Sequence, residues 1–407
     1  MKILVLGNGF DLYHKLPTTY LCFLKVIEYL QNSEVLPDTI GEVFAELIDD
    51  CKTIYFSYNE YKEFYDNYLF DAEDLKTFSE IKVLSKSIGW VEYLLKSYNK
   101  EVGWIDFEKE IALVIKDFEK LFSLIKEPKN LRKSFDSIYF LSKLIPYRTT
   151  FFGIFGAVDG LNRIINTSYT TKSPYGSSNI VLDEQKVIKR LTDELFELAK
   201  LLKMYLTIFV EKPLQKMLDE DIITKNPCFN DFDKIISFNY TNVYEMLYTC
   251  KESGIYHIHG NLDNNIVLGI NPDNSDNIDS IDTSFISFKK YYQRIVYATD
   301  RDFLSYFNSI TTGQANYNTI VVCGHSLDKT DEDIIKMLFD KANYIYVLCH
   351  NSSAIGASLK NLITIYGKTD FDILRSEKSL KFISYDEWKN VEYKKLTVPD
   401  IITIKKS

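Results

Sequence analysis

The sequence predicts an α/β protein, a parallel sheet flanked by helices, with a large all-α insertion after the first βα unit. Three observations carry this expectation. The chain opens with an apolar run, Lys2–Leu6, that leads straight into Gly7-Asn8-Gly9-Phe10-Asp11 and then into a helical pattern. Apolar runs return at Lys234–Phe238, Ile255–His259, Ile266–Gly269, Thr319–Cys323 and Tyr344–Cys349, some separated by helical stretches such as Asp331–Lys341. Strands alternating with helices imply a parallel sheet. From roughly residue 38 to 225, almost every segment reads as helix.

Each element has a local reason. The glycines after the first strand allow a tight turn and close backbone approach, the pattern that open α/β sheets use to hold a phosphate at a helix N-terminus. The spacing is not the dinucleotide fingerprint, because Leu12 stands where its third glycine would fall. Leu16-Pro17-Thr18-Thr19-Tyr20 leads into the next helix. Within the insertion, Trp104–Ile125 places Ile111, Val114, Ile115, Phe118, Leu121 and Phe122 on one face. Asp106 suits its N-cap, with Glu108 and Glu110 in the first turn where the helix dipole favours them. Val187–Leu218 is a second long helix, with Pro213 as a kink or break. Tyr169–Ser178 reads as a loop, and Thr330 with Asp333 as a capping box. The expected organisation is an α/β nucleotide-binding core over 1–36 and 231–370, a helical insertion over 37–230 lying over or beside the cleft, and a C-terminal extension over 371–407 packing on the core.

The chain has 407 residues, 46% hydrophobic and 26% charged, ample for a large core in two or three structural units. It is rich in aromatics, with 29 Tyr and 27 Phe, which read as helix-packing residues. A net charge of -9 argues against a broad electrostatic grip on nucleic acid. No apolar run reaches membrane-spanning length and no signal-peptide layout is present, so a cytoplasmic protein is expected. The six cysteines, Cys22, Cys51, Cys228, Cys250, Cys323 and Cys349, include no CxxC pair and read as small buried hydrophobes in a reducing compartment.

The notable polar residues cluster at the ends of the expected strands, where parallel sheets bind ligands. Gly7 to Asp11 follows the first strand, Asn239-Tyr240-Thr241-Asn242 the second, and His259-Gly260-Asn261 closes the third. Gly324-His325-Ser326-Leu327 and His350-Asn351 follow the later two. Strand ends commonly turn with Gly, Asn and Ser, but five polar ends in one sheet form a constellation.

This set, in this order, resembles the sirtuin-like, Rossmann-type NAD-binding core, and over most of the chain it resembles the AbiH family of phage abortive-infection proteins. The motifs that carry the second likeness are Gly7-Asn8-Gly9-Phe10-Asp11-Leu12, Leu16 to Tyr20, Trp104-Ile105-Asp106-Phe107-Glu108, Phe238-Asn239-Tyr240-Thr241, His257-Ile258-His259-Gly260 and Gly324-His325-Ser326-Leu327. The sirtuin likeness implies NAD contacts from Gly7, Asn8, Gly9, Phe10, Pro17, Thr18, Tyr240, Thr241, Gly324, His325, Ser326, His350 and Asn351. It implies that Asn239 stands for the asparagine that reaches the nicotinamide riboside and His259 for the catalytic histidine. Phe238 and Thr241 replace the residues that flank this asparagine in sirtuins, His325 replaces a threonine, and the sirtuin zinc ribbon is missing from the sequence. A protein deacylase is therefore not expected.

Cleaving NAD at its nicotinamide bond needs a base, a positioned water and polar groups around an oxocarbenium-like ribose. His259 is the natural base, because an ordinary imidazole is mostly neutral near pH 7. Asn239 positions water or the ribose hydroxyls. Asp11 steadies the cation or binds the ribose, or else caps the adjoining helix. His14 lies before Pro17, either near the nicotinamide end or exposed, with exposure preferred. His325 assists phosphate binding or caps its turn. His257 and His259 share a strand face, but no carboxylate or cysteine at diagnostic spacing completes a metal site, so no metal is expected and His257 packs or hydrogen-bonds near the sheet.

The leading expectation is an anti-phage effector that hydrolyses NAD to ADP-ribose and nicotinamide. The alternatives are an NAD or ADP-ribose sensor without turnover, or a hydrolase of another nucleotide or of nucleic acid. Expected partners are the nucleotide, a phage-derived trigger and further copies of the chain, with no membrane.

Overall fold

In the computed structural model the described residues are 1–98, 106–126, 139–159, 162–172, 180–230, 232–248, 254–270, 284–309, 319–377 and 380–389. Trp104, Ile105, Cys250 and the 173–178 part of the expected loop lie outside them. The strands are β1 (Lys2–Leu6), β2 (Tyr139–Leu141), β3 (Phe155–Asp159), β4 (Asn162–Ile165), β5 (Thr170–Lys172), β6 (Ile180–Leu182), β7 (Lys234–Ser237), β8 (Ile255–His257), β9 (Thr319–Cys323), β10 (Tyr344–Cys349) and β11 (Leu380–Ser384). Two compact units divide the chain. Unit 1 comprises Met1–His14, Leu218–Asp263 and Ala298–Ser407, and unit 2 comprises Lys15–Met217 and Asn264–Tyr297.

Unit 1 is the α/β unit. Its six strands are all parallel, in the order β11-β10-β9-β1-β7-β8. Counted along the chain within this sheet, the order is 3-2-1-4-5-6 read from the β8 edge, so the chain switches direction between β1 and β9. Leu6 pairs with Ser237 on one side and Cys323 on the other, which aligns the carboxyl ends of three strands. Strands buried on both faces are apolar without alternation, and β1, β7, β9 and β10 read so because helices cover the sheet. Ile3, Val5, Ile236, Val322, Ile335 and Val347 share one core. Each such side chain, fully buried, contributes about 2 kcal/mol relative to exposure.

Unit 2 is mainly helical. The helix Phe107–Lys126 buries the face expected of it, and Asp106 Oδ1 accepts from Lys109 N at 3.0 Å as its cap. Phe107 stacks on Tyr20 at 4.1 Å between ring centroids, joining two of the sequence motifs. Pro213 does not end its helix. A π-helical turn at Thr207–Glu211 precedes the helix Lys212–Asp219 and absorbs the proline. No helix among the described residues is long and apolar enough to cross a membrane.

Four readings need correction. The stretch read as all helix carries two small antiparallel sheets, β2-β4-β3 and β5-β6, whose strands of three to five residues are too short to show a period. Ile266–Gly269 is not a strand. The Gln293 side-chain amide takes the place of a neighbouring strand, accepting from Leu268 N and donating to Leu268 O, each at 2.9 Å. The turn before the helix Glu332–Asp340 is capped by Asp328, whose Oδ1 accepts from Thr330 N at 3.0 Å, and not by a Thr330–Asp333 box. The C-terminal region supplies β11, the edge strand of the sheet, after which comes Trp388, which is 1% exposed.

The switch point is held by glycines. Gly7 N donates to Cys323 O at 3.1 Å and Gly9 N to Gly324 O at 2.9 Å. A Cβ on Gly324, where φ is +72°, would lie 2.2 Å from Phe10 N. Gly324→Ala is therefore expected to lower the stability of unit 1 by about 2–5 kcal/mol, from left-handed strain and overpacking against immovable backbone. Urea unfolding with hydrogen exchange of the β1 and β9 amides measures this, and a loss under about 1 kcal/mol would refute the packing argument.

Candidate functional site

The carboxyl ends of β1, β7, β8 and β9 carry two buried polar clusters. The first is built on Asp11. This residue does not cap the helix Asn8–Tyr13; it lies in the first turn and points across to the loop after β7. Its Oδ1 accepts from Asn239 Nδ2 at 3.0 Å and its Oδ2 from Thr241 Oγ1 at 2.7 Å. Asp11, Asn239 and Thr241 are all buried. The Asn239 backbone is fixed as well, its N donating to Ser237 Oγ at 3.2 Å and its O facing His257 Nδ1 at 3.2 Å. His257 Nε2 in turn lies 2.5 Å from Glu245 Oε1, so His257 hydrogen-bonds beside the sheet as expected.

The second cluster is built on Asp331, which sequence reasoning does not single out. His259 Nε2 lies 2.9 Å from Asp331 Oδ1, and His325 Nε2 lies 3.5 Å from Oδ2. All three side chains are buried. Phe238 fills the space beside both rings, edge-on to His259 at 5.3 Å and 4.2 Å from His325. Asp331 occupies the N-cap position of the helix Glu332–Asp340, yet its side chain makes no capping bond and turns to the histidines. An aspartate at a helix start is ordinarily explained by capping, which is why this one gives no signal in the sequence.

Hydrogen bonding assigns the His325 tautomer. Leu327 N donates to His325 Nδ1 at 2.9 Å, so Nδ1 is the acceptor and the neutral ring carries its proton on Nε2, facing Asp331. This bond realises the turn-capping role. It holds a loop in which Leu327 itself has φ +55°.

The other expected residues divide clearly. Gly7, Gly9 and Gly324 pack backbone to backbone, and the N–H groups of Gly7, Gly9 and Phe10 donate to carbonyls inside the fold. Phe10 is buried against Phe229 at 5.3 Å, whereas Asn8 is exposed and Tyr240 half-buried. Ser326 and His350 are exposed. Asn351 caps the next helix, its Oδ1 accepting from Ala354 N at 2.8 Å. Pro17 and Thr18 belong to unit 2, where Pro17 O accepts from the Tyr205 hydroxyl.

His14 is 3% exposed, which corrects the preference for an exposed ring. Asn226 N donates to the Tyr248 hydroxyl at 3.0 Å, leaving that hydroxyl to donate to His14 Nε2 at 2.8 Å. His14 Nδ1 then donates to Phe10 O at 2.9 Å. Burial pulls this imidazole down to about 4 against the opposing effect of the Phe10 bond. A folded-state value below the ordinary 6.5 means the unfolded chain binds more protons between them. About 3 kcal/mol of stability is therefore present above pH 6.5 and lost as pH falls from 6.5 towards 4. His14→Gln should flatten this part of the stability–pH curve; parallel curves for the two proteins would rule the effect out. Asp11→Asn should cost about 2–4 kcal/mol in urea unfolding, since an amide accepts only one of the two donors well. Unchanged stability would mean that the two bonds do not hold the loop.

No curated protein and no solved structure matches the chain. The family described as bacteriophage abortive infection AbiH matches residues 3–350, across the β1 turn, both carboxylate clusters and the end of β10, and the chain belongs to that family.

Proposed function

We propose that this chain, whose family is one of phage abortive infection, hydrolyses NAD to ADP-ribose and nicotinamide at the carboxyl ends of β1, β7, β8 and β9. The observation that carries the reading is the buried His259–Asp331 pair beside an Asn239 held rigid by Asp11. The strand order supports it, since a 3-2-1-4-5-6 parallel sheet offers a nucleotide crevice where the order reverses, and both clusters stand there.

In this reading Asp331 holds Nε2 of His259, and Nδ1 takes the proton of the attacking water. The water oxygen bonds to C1′ of the ribose as the bond from C1′ to the pyridinium nitrogen breaks. The bonding electron pair returns to the ring and nicotinamide leaves neutral. The leaving group needs no acid, so one base suffices. Asn239 orients the water or the ribose hydroxyls, and Asp11 is its positioning residue. Phe238 shields both imidazoles from bulk water and strengthens the pairing with Asp331.

The test is to incubate the purified full chain with NAD and to quantify nicotinamide and ADP-ribose. His259→Ala should lower turnover by at least about 100-fold, and Asp331→Asn should lower kcat with little change in KM. Undiminished NAD consumption by an Asn239→Ala, His259→Ala double variant would reject the site. Saturable NAD binding without product, also in lysate from phage-infected cells, would replace hydrolysis with sensing.

A further inference from the structure

Unit 2 brings together two thiols that lie 29 residues apart in the chain, Cys22 and Cys51, with their Sγ atoms 3.2 Å apart. Both are buried, at 0% and 1% exposure. Cys22 is in the first turn of the helix Tyr20–Asn32, and Cys51 is the N-cap residue of the helix Lys52–Glu60. Sequence alone presents them as small hydrophobes, but their surroundings are polar and unequal. Thr19 Oγ1 donates to Cys22 Sγ at 3.0 Å, leaving the Cys22 thiol to donate to Cys51. Cys51 is pulled down to about 7 by that bond, against its burial, with help from the Ile54 and Thr53 amides at the helix start and from Lys25. A thiol at a helix N-terminus beside a cation and a second thiol is the setting of a reactive cysteine with its resolving partner.

Leu47, whose carbonyl accepts from Cys51 N at 3.0 Å, lines a pocket of about 320 Å³ together with Lys25, Glu28, Tyr29 and Glu46. Lys25 pairs with Asp50, the residue preceding Cys51, at 3.5 Å. Disulfide closure requires the sulfurs to approach by roughly 1.2 Å, to a bond of about 2.05 Å.

We propose that Cys22 and Cys51 are a peroxide-sensitive thiol pair that closes reversibly into a disulfide joining the helix Tyr20–Asn32 to the start of the helix Lys52–Glu60. The Cys51 thiolate attacks one oxygen of hydrogen peroxide, the O–O bond breaks, and hydroxide leaves to take up a proton as water. The resulting sulfenic acid is attacked by Cys22, the S–S bond forms, and the sulfenic oxygen leaves as a second water. Two thiols are oxidised by two electrons and one peroxide is reduced to two waters. A cellular dithiol restores the pair. The disulfide fixes the helix whose N-cap, Thr19, directly succeeds Pro17 and Thr18. Nothing in this redox step depends on NAD chemistry.

The test treats the full native chain with hydrogen peroxide, alkylates it in denaturant and digests it without reductant. The expected result is a Cys22–Cys51 linked peptide, two hydrogens lighter than its parts, that forms before the more exposed Cys228 is modified and disappears with dithiothreitol. In Cys22→Ser, dimedone should label Cys51. Recovery of Cys22 and Cys51 as alkylated free thiols while Cys228 is oxidised would overturn the proposal. So would dimedone labelling of Cys22, and none of Cys51, in the matching single variants. The linked peptide is read on the unaltered chain, so it decides the matter even if a variant fails to fold.

Discussion

The close meeting of two loops at the centre of the sheet is the constraint on which the rest of unit 1 depends. Gly7 and Gly9 end β1, Gly324 ends β9, and the backbones touch where a Cβ on any of the three would overlap main-chain atoms. Amide-to-carbonyl bonds from Gly7 and Gly9 then lock the two strand ends together. This contact sets the position of the residues just beyond each strand. Asp11 is carried on the helix that starts at Asn8, and His325 is the next residue after Gly324. A larger residue at the switch would push apart the two loops that bear the polar clusters.

On that frame, two buried carboxylates organise the surrounding side chains, with different consequences. A buried carboxylate is costly unless its oxygens receive donors. Asp11 receives them from an amide and a hydroxyl, neither of which titrates in the physiological range, so this cluster keeps one arrangement and holds Asn239 in place. Asp331 faces two imidazoles, with His259 Nε2 at 2.9 Å and His325 Nε2 at 3.5 Å from its oxygens. The first cluster therefore fixes the loop after β7, whereas the second brings two ring nitrogens to one carboxylate. The division follows from donor chemistry alone.

Much of this fold is legible in the chain because apolar runs ending in Gly, Asn or His mark strand ends directly. The runs at Lys234, Ile255, Thr319 and Tyr344 form strands that lie with β1 in one parallel sheet, and Asp11, Asn239, Thr241, His259 and His325 fall on its carboxyl side. The features that escape a reading of the sequence depend on contacts distant along it. Asp331 looks like an ordinary helix-start residue, and only its approach to His259 separates it from a cap. Gln293 replaces a strand neighbour through a side-chain amide, which no local pattern encodes. His14 is flanked by Tyr13 and the exposed Lys15, and its one local clue is the four-residue spacing from buried Phe10. Cys22 and Cys51 meet only because two helix N-termini do.

The two histidines on Asp331 are not equivalent, and the geometry ranks them. His325 is tied at both nitrogens, with Nδ1 accepting from Leu327 N and Nε2 facing Oδ2 at 3.5 Å. The Nδ1 bond holds a loop already carrying Leu327 in the left-handed region. The work of that ring is structural: it holds its own loop. His259 stands closer to the carboxylate, at 2.9 Å, on the residue after Ile258, whose carbonyl accepts from Thr299 Oγ1 at 2.8 Å. In the proposed reaction, protonation of His259 brings a positive charge beside the Asp331 carboxylate. In that proposal an imidazolium formed there meets a carboxylate already in place, which is the property a general base requires. The same carboxylate thus faces one histidine that shapes its loop and a second that the proposed hydrolysis uses as its base.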